Sequence, residues 1–142
     1  MKILALDLGD KWVGTAISDP LRITCKPLQT VEISQLTVFL AQILKNEIIS
    51  IVVIGYPKTM SGGQSEQTLK IIKTKEALEQ QFSLIDDKKI EWVLWDERLS
   101  SKRAGILQNN KSDNKSKKKS HSLAAAFILQ CYLDYLALNK QS

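Results

Sequence analysis

The sequence predicts an α/β protein, a mixed five-stranded sheet flanked by helices, and three observations predict it. Lys2–Leu8 and residues 48–54 and 90–95 are almost continuous apolar runs, the pattern of strands buried on both faces. Stretches of helical periodicity lie between and after the later runs. Turn signals at Gly9-Asp10 and Asp19-Pro20 fold the first strand and its successors into hairpins.

Taken in order, Lys2–Leu8 is the first strand and Trp12–Ser18 the second, paired back on it. A third, shorter strand falls within residues 23–31, where Pro27 limits its regularity. Ser34 is a good N-cap for a helix over residues 35–46, with Leu36, Phe39, Leu40, Ile43 and Leu44 on one apolar face. Residues 48–54 are β-branched and apolar, hence a central strand, stopped by Gly55-Tyr56-Pro57. A loop around Gly62-Gly63 leads to a second helix over residues 65–82, with Leu69, Ile72, Ala77 and Leu78 on its buried side. The strand at 90–95 runs straight into Asp96-Glu97-Arg98, and Ser100 or Ser101 caps a short helix ending near Gln108. Residues 109–119 hold no apolar side chain and read as a loop that is disordered in isolation. The last helix spans 120–138, with a stripe of Leu123, Ala124, Phe127, Ile128, Cys131 and Tyr135. With no internal repeat and no linker, residues 1–142 read as one domain.

Composition narrows the function. No apolar run approaches the roughly 20 residues that span a bilayer, and an aspartate interrupts the apolar start, which lacks a small-residue cleavage site. Two cysteines, Cys25 and Cys131, stand in no metal-binding spacing and fit a reducing cytoplasm. The net charge of +5 is concentrated: Lys111, Lys115, Lys117, Lys118 and Lys119, offset by Asp113, hold most of it. A nearly neutral body with one basic segment suits a polyanionic partner, because each neutralised phosphate releases counterions.

Three places can carry chemistry. Asp7 puts a carboxylate in a buried strand, which needs a cation or hydrogen bonds around it; its bland alternative is to cap the Gly9 turn. Asp96-Glu97 stands at the carboxyl end of another strand, where α/β sheets place their reactive groups. If the two strands are neighbours, Asp7 and one of this pair can share a hard cation such as Mg2+ or Mn2+. His121, the sole histidine, opens the last helix; there the bland reading is a helix-terminal residue without a role. Gly9 to Gly14 has phosphate-loop spacing, but Thr15 stands where a Walker motif needs lysine, and no Ser-His-Asp pattern has local support.

Several segments together resemble one family. Ala5-Leu6-Asp7-Leu8-Gly9, with Lys11, Gly14 and Ser18-Asp19-Pro20-Leu21, resembles the opening of the YqgF family, also called the Holliday junction resolvase or pre-16S rRNA nuclease family. Val53-Ile54-Gly55-Tyr56-Pro57 with Met60 and Gly62-Gly63 is similar to its central strand and glycine loop, and Asp96-Glu97-Arg98-Leu99-Ser100-Ser101 to its most specific motif. Lys117-Lys118-Lys119, Ser122-Leu123-Ala124-Ala125-Ala126 and Ile128-Leu129-Gln130-Cys131-Tyr132-Leu133 resemble its closing segment. The resemblance covers nearly the whole chain, in order.

It implies a ribonuclease-H-like fold and a cytoplasmic, Mg2+- or Mn2+-dependent hydrolase that matures the 5′ end of small-subunit ribosomal RNA. Asp7 and Glu97 would be catalytic and metal-binding. The family's third acid falls where this chain has His121, a departure that lowers the negative charge of the site and favours softer ions than magnesium. Trp12, in place of a basic residue, and Tyr56, in place of an aliphatic one, are lesser departures. The expectation is an endonuclease, monomeric or weakly dimeric and off the membrane, acting on structured RNA, branched DNA or pre-ribosomal particles. Lys11, Arg98, Lys115, Lys117, Lys118 and Lys119 would grip the phosphate backbone. Two rivals are a binding or ribosome-assembly protein that has lost catalysis through His121, and a Holliday junction resolvase. An actin-like sugar kinase is set aside, because that architecture needs two such domains around a nucleotide.

Overall fold

The computed structural model describes residues 1–56, 66–96 and 114–140, apart from the side chains of Gln67, Asp96, residues 114–120 and Lys140. Five strands form one mixed sheet: β1 (Lys2–Leu8), β2 (Trp12–Ser18), β3 (Cys25–Glu32), β4 (Ile49–Tyr56) and β7 (Glu91–Asp96). Their spatial order is β3-β2-β1-β4-β7. The first three pair antiparallel, while β4 joins β1 and β7 joins β4 in parallel. The fold class read from the sequence is therefore the one observed.

Alternation along the strands separates two cores. Leu4, Leu6, Val52 and Ile54 face α1 (Leu36–Asn46) and α2 (Glu66–Gln81). Ile3, Ala5, Ile51 and Val53 face α3 (Asn114–Lys140). Asp7 shares the odd parity of Ile3 and Ala5, and so belongs to the α3 side. By length and composition His121–Asn139 could cross a bilayer. Here its Ala125, Ile128, Leu129, Tyr132 and Leu133 are buried in the core beneath it, so its apolarity serves packing.

Several local expectations are corrected. Ser34 caps nothing: Ile33–Gln35 is a 3-10 turn, and Gln35 precedes α1 without a side-chain cap bond. The buried line of α2 runs through Thr68, Ile71 and Leu78, while Leu69 is 44% exposed and Ala77 points outward. On α3 the buried line is Ser122, Ala125, Ile128, Leu129, Tyr132 and Leu133, about one residue out of phase with the predicted stripe. From His121 onward that helix is apolar nearly all round, so periodicity alone cannot phase it. The helix also starts at Asn114 and so absorbs part of the segment read as a disordered loop. Lysine is a good helix former, and no glycine or proline interrupts residues 114–140.

The structure adds a two-stranded ribbon, β5 (Leu84–Ile85) and β6 (Lys88–Lys89), that no apolar alternation predicts. Its turn residues Asp86 and Asp87 both have positive φ, as a type I′ hairpin requires. Pro27 is tolerated because β3 is an edge strand. The register of β3 against β2 shifts between Gly14 and Ala16, and the hydroxyl of Thr15 spans the irregularity, donating to Gln29 O and accepting from Gln29 N at 3.1 Å.

Candidate active site

Parallel pairing brings the carboxyl ends of β1, β4 and β7 to one edge. Asp7 pairs with Gly55, Gly55 with Trp95, and Tyr56 with Asp96. The backbone of Asp96 thus lies one residue beyond the Asp7 row, two strands away, or roughly 10 Å at ordinary strand spacing. Neighbouring the same edge, the turn from β1 to β2 is closed by Gly9 N donating to Trp12 O at 2.9 Å. The Gly9 amide is therefore satisfied by backbone and not by Asp7.

Among the described residues, the side chain that faces Asp7 is His121. Its Nδ1 lies 3.7 Å from Asp7 Oδ2, with side-chain exposures of 32% and 17%. That separation exceeds a hydrogen bond, and it is an ion pair only when the imidazole is protonated. The arrangement leaves two oxygens and an imidazole nitrogen at the mouth of the sheet, where a small cation could draw them together.

Two glycines set this approach. A Cβ on Gly14 would overlap the carbonyl of His121 and come within 2.7 Å of Ser122 N. One on Gly9 would meet Trp12 O at 2.7 Å and His121 Cε1 at 3.5 Å. Gly14 lies in the middle of an apolar strand, and a glycine there often marks a close backbone approach. A glycine inside an apolar strand is the sequence signal for this contact, beside its place in the loop spacing and the family motif.

Of the residues singled out in sequence, the structure brings together Asp7 and His121, with Lys11 on the adjoining turn. Lys11 is exposed, and its Nζ stands 5.6 Å from the centre of the Trp12 ring. Glu97, Arg98, the expected short helix after Ser100 and the glycine loop lie outside the described residues, as do the side chains of Lys115, Lys117, Lys118 and Lys119. Among the described residues no three of His, Cys, Asp and Glu cluster as a metal site. Asp7 and His121 are two donors of suitable chemistry, a hard carboxylate and an imidazole, and a further ligand is required of another element.

Comparison with known proteins fits this geometry. The solved structure of T. thermophilus RuvC in complex with Holliday junction substrate superposes with a TM-score of 0.55 at 13% identity, over 95% of this chain and 96% of that one. The fowlpox virus Holliday junction resolvase gives 0.52 at 18% identity, over 95% and 99%. At such identities the likeness speaks for the fold, which is ribonuclease-H-like. Sequence relatives are nearer. A Caldicellulosiruptor bescii protein is 39% identical over 140 residues, 95% of this chain and 97% of its own. One from Staphylococcus epidermidis is 41% identical over 140 residues, 94% and 95% respectively. Both carry the name "Putative pre-16S rRNA nuclease". The family described as "RuvX: Holliday junction resolvase" matches residues 1–135, and the chain belongs to that family of nucleases.

Proposed function

We propose that this chain is a cytoplasmic, metal-dependent endonuclease that trims the 5′ end of pre-16S rRNA, with Asp7, Glu97 and His121 as its metal-binding and catalytic residues. The observation that carries the reading is the meeting of Asp7 and His121 at the carboxyl end of β1, beside the strand end that delivers Asp96. Between Asp96 and Glu97, the resemblance of Asp96-Glu97-Arg98-Leu99-Ser100-Ser101 to the family motif favours Glu97.

A bound Mg2+ or Mn2+ supplies a Lewis acid that activates water and steadies the departing oxygen of a phosphodiester. Asp7 and Glu97 would hold it with hard oxygens, and the imidazole of His121 would complete the set through a nitrogen lone pair. A metal centre with one imidazole carries less negative charge than one with three carboxylates, which favours manganese over magnesium. Lys11, Arg98, Lys115, Lys117, Lys118 and Lys119 would neutralise the phosphates on either side of the cut.

The test is Asp7→Asn, assayed with Mn2+ on structured RNA and on four-way DNA junctions, since the relatives are named for one substrate and the family for the other. Loss of cleavage with an intact fold is expected; undiminished cleavage would overturn the site. A second reading has its own support in His121: with the third acid gone, the chain binds RNA during ribosome assembly and cuts nothing. It predicts salt-sensitive RNA binding that survives Asp7→Asn.

A further inference from the structure

The turn beside Asp7 carries an aromatic residue that the proposed chemistry leaves unused. Of the three tryptophans, Trp92 lies within one hydrophobic core and Trp95 packs against the other. Trp12 belongs to neither, and it is only half-buried. Gly14 and Ala16 face α3, and Trp12 shares their parity, so it stands on the same face and at the same end of the sheet as Asp7 and His121. Its backbone is held firmly. Trp12 O accepts from Gly9 N, and Lys11 O accepts from Ile33 N at 2.8 Å. The exposed Lys11 ammonium lies over the indole at 5.6 Å, a cation–π contact at the lip of the site.

We propose that Trp12 is the base-stacking residue of this site, with the indole taking a nucleobase next to the phosphate presented to Asp7. Lys11 leaves the ring for the phosphate of that nucleotide as the base arrives. The ring and the cation match the two parts of a nucleotide, and a rigid turn fixes their distance from Asp7. Stacking is tolerant of base identity because every base has a π-face. Trp12 therefore sets which phosphate reaches the metal site without imposing a sequence. The inference rests on the nucleic-acid reading above.

The experiment measures affinity for a short single-stranded RNA and for the same RNA with one abasic site moved along it, without metal so that no cutting occurs. Wild type, Trp12→Phe and Trp12→Ala are compared. Wild type is expected to weaken roughly five- to hundred-fold when one particular base is removed, the range that stacking energies correspond to. Trp12→Phe keeps that sensitivity in reduced form, and Trp12→Ala binds intact and abasic RNA alike at that position. A merely structural Trp12 would make Trp12→Ala weaker toward every RNA equally, with the abasic profile unchanged, and this would overturn the proposal. So would a flat profile in the wild type. If the wild type binds no RNA at all, the nucleic-acid reading itself fails, an outcome distinct from binding without base dependence.

Discussion

Gly14 and His121 share a space that holds no more than their backbones: a methyl group on Gly14 would overlap the His121 carbonyl. β2 and the start of the core portion of α3 therefore touch main chain to main chain. This contact fixes the height of His121 above the sheet and hence its place beside Asp7. Gly14→Ala must push α3 away or strain β2. Because the obstructing atoms are backbone, the cost is expected at the upper end of the roughly 1–3 kcal/mol typical of overpacking. Denaturant unfolding checks it, and a change below the error of extrapolation would mean that the helix can lift freely.

The bulge of β3 gives a second stability prediction. Thr15 is wholly buried, and its hydroxyl serves both the carbonyl and the amide of Gln29. Thr15→Val keeps the shape and deletes both bonds, leaving those backbone groups to find water at the sheet edge. A loss of about 1–3 kcal/mol follows from unpaired polar groups, read as a fall in the urea midpoint at unchanged m-value.

These two positions show how far the sequence could be read. All five strands of the sheet were legible, because β1, β4 and β7 are apolar on both faces and the turns between the early strands are explicit. The place of Asp7 near the end of a buried strand was legible as well, from the apolar run around it. The phase of α3 was not, because Leu123, Ala124 and Phe127 are as apolar as the residues that are buried. What selects the phase is the Gly14 contact, made between segments about a hundred residues apart in sequence. The Asp86-Asp87 turn was missed because its positive-φ positions hold aspartate in place of the usual Asn-Gly or Asp-Gly signal.

The thiol of Cys25 should be inert in the native state. Burial first, then the charges of Asp134 and Asp19, push its pKa up to about 11 from the ordinary 9.0. Sγ also donates to Ala126 O at 3.2 Å, tying β3 to α3. Thiolate at Cys25 is thus about a hundredfold scarcer than at an ordinary thiol below its pKa. Iodoacetamide at mildly alkaline pH should label Cys25 readily in denaturant and very slowly without it, as read by peptide mass mapping. Equal rates would show that β3 opens easily from α3.

His121→Asp tests the proposed metal site separately from the fold. Without metal, the introduced carboxylate faces Asp7 across the distance now spanned by 3.7 Å, and repulsion should lower the melting temperature. Added Mg2+ should then raise it more than in the wild type, because a ligand bound only by the native state stabilises it by mass action. Calorimetry should find Mg2+ bound at least about tenfold more tightly than by the wild type, an increment of roughly 1.4 kcal/mol. A lower melting temperature with no gain in Mg2+ affinity would remove His121 from the metal set.

The lysines before His121 allow the electrostatics to be counted. Lys115, Lys117, Lys118 and Lys119 fall in the first turns of α3, whose backbone is helical from Asn114. Their number sets an upper bound on the phosphates this segment can neutralise. Each phosphate neutralised on a single strand contributes about 0.7 to the slope of log affinity against log salt. Replacing all four with glutamine should therefore flatten that slope by roughly 3 if every lysine makes a contact, and by less in proportion to those that do not. The same variant should retain its melting temperature within a degree or two, since glutamine and lysine have similar helix propensities. An unchanged slope would mean that the chain grips nucleic acid elsewhere, with Lys11 and Arg98 the next positions to neutralise.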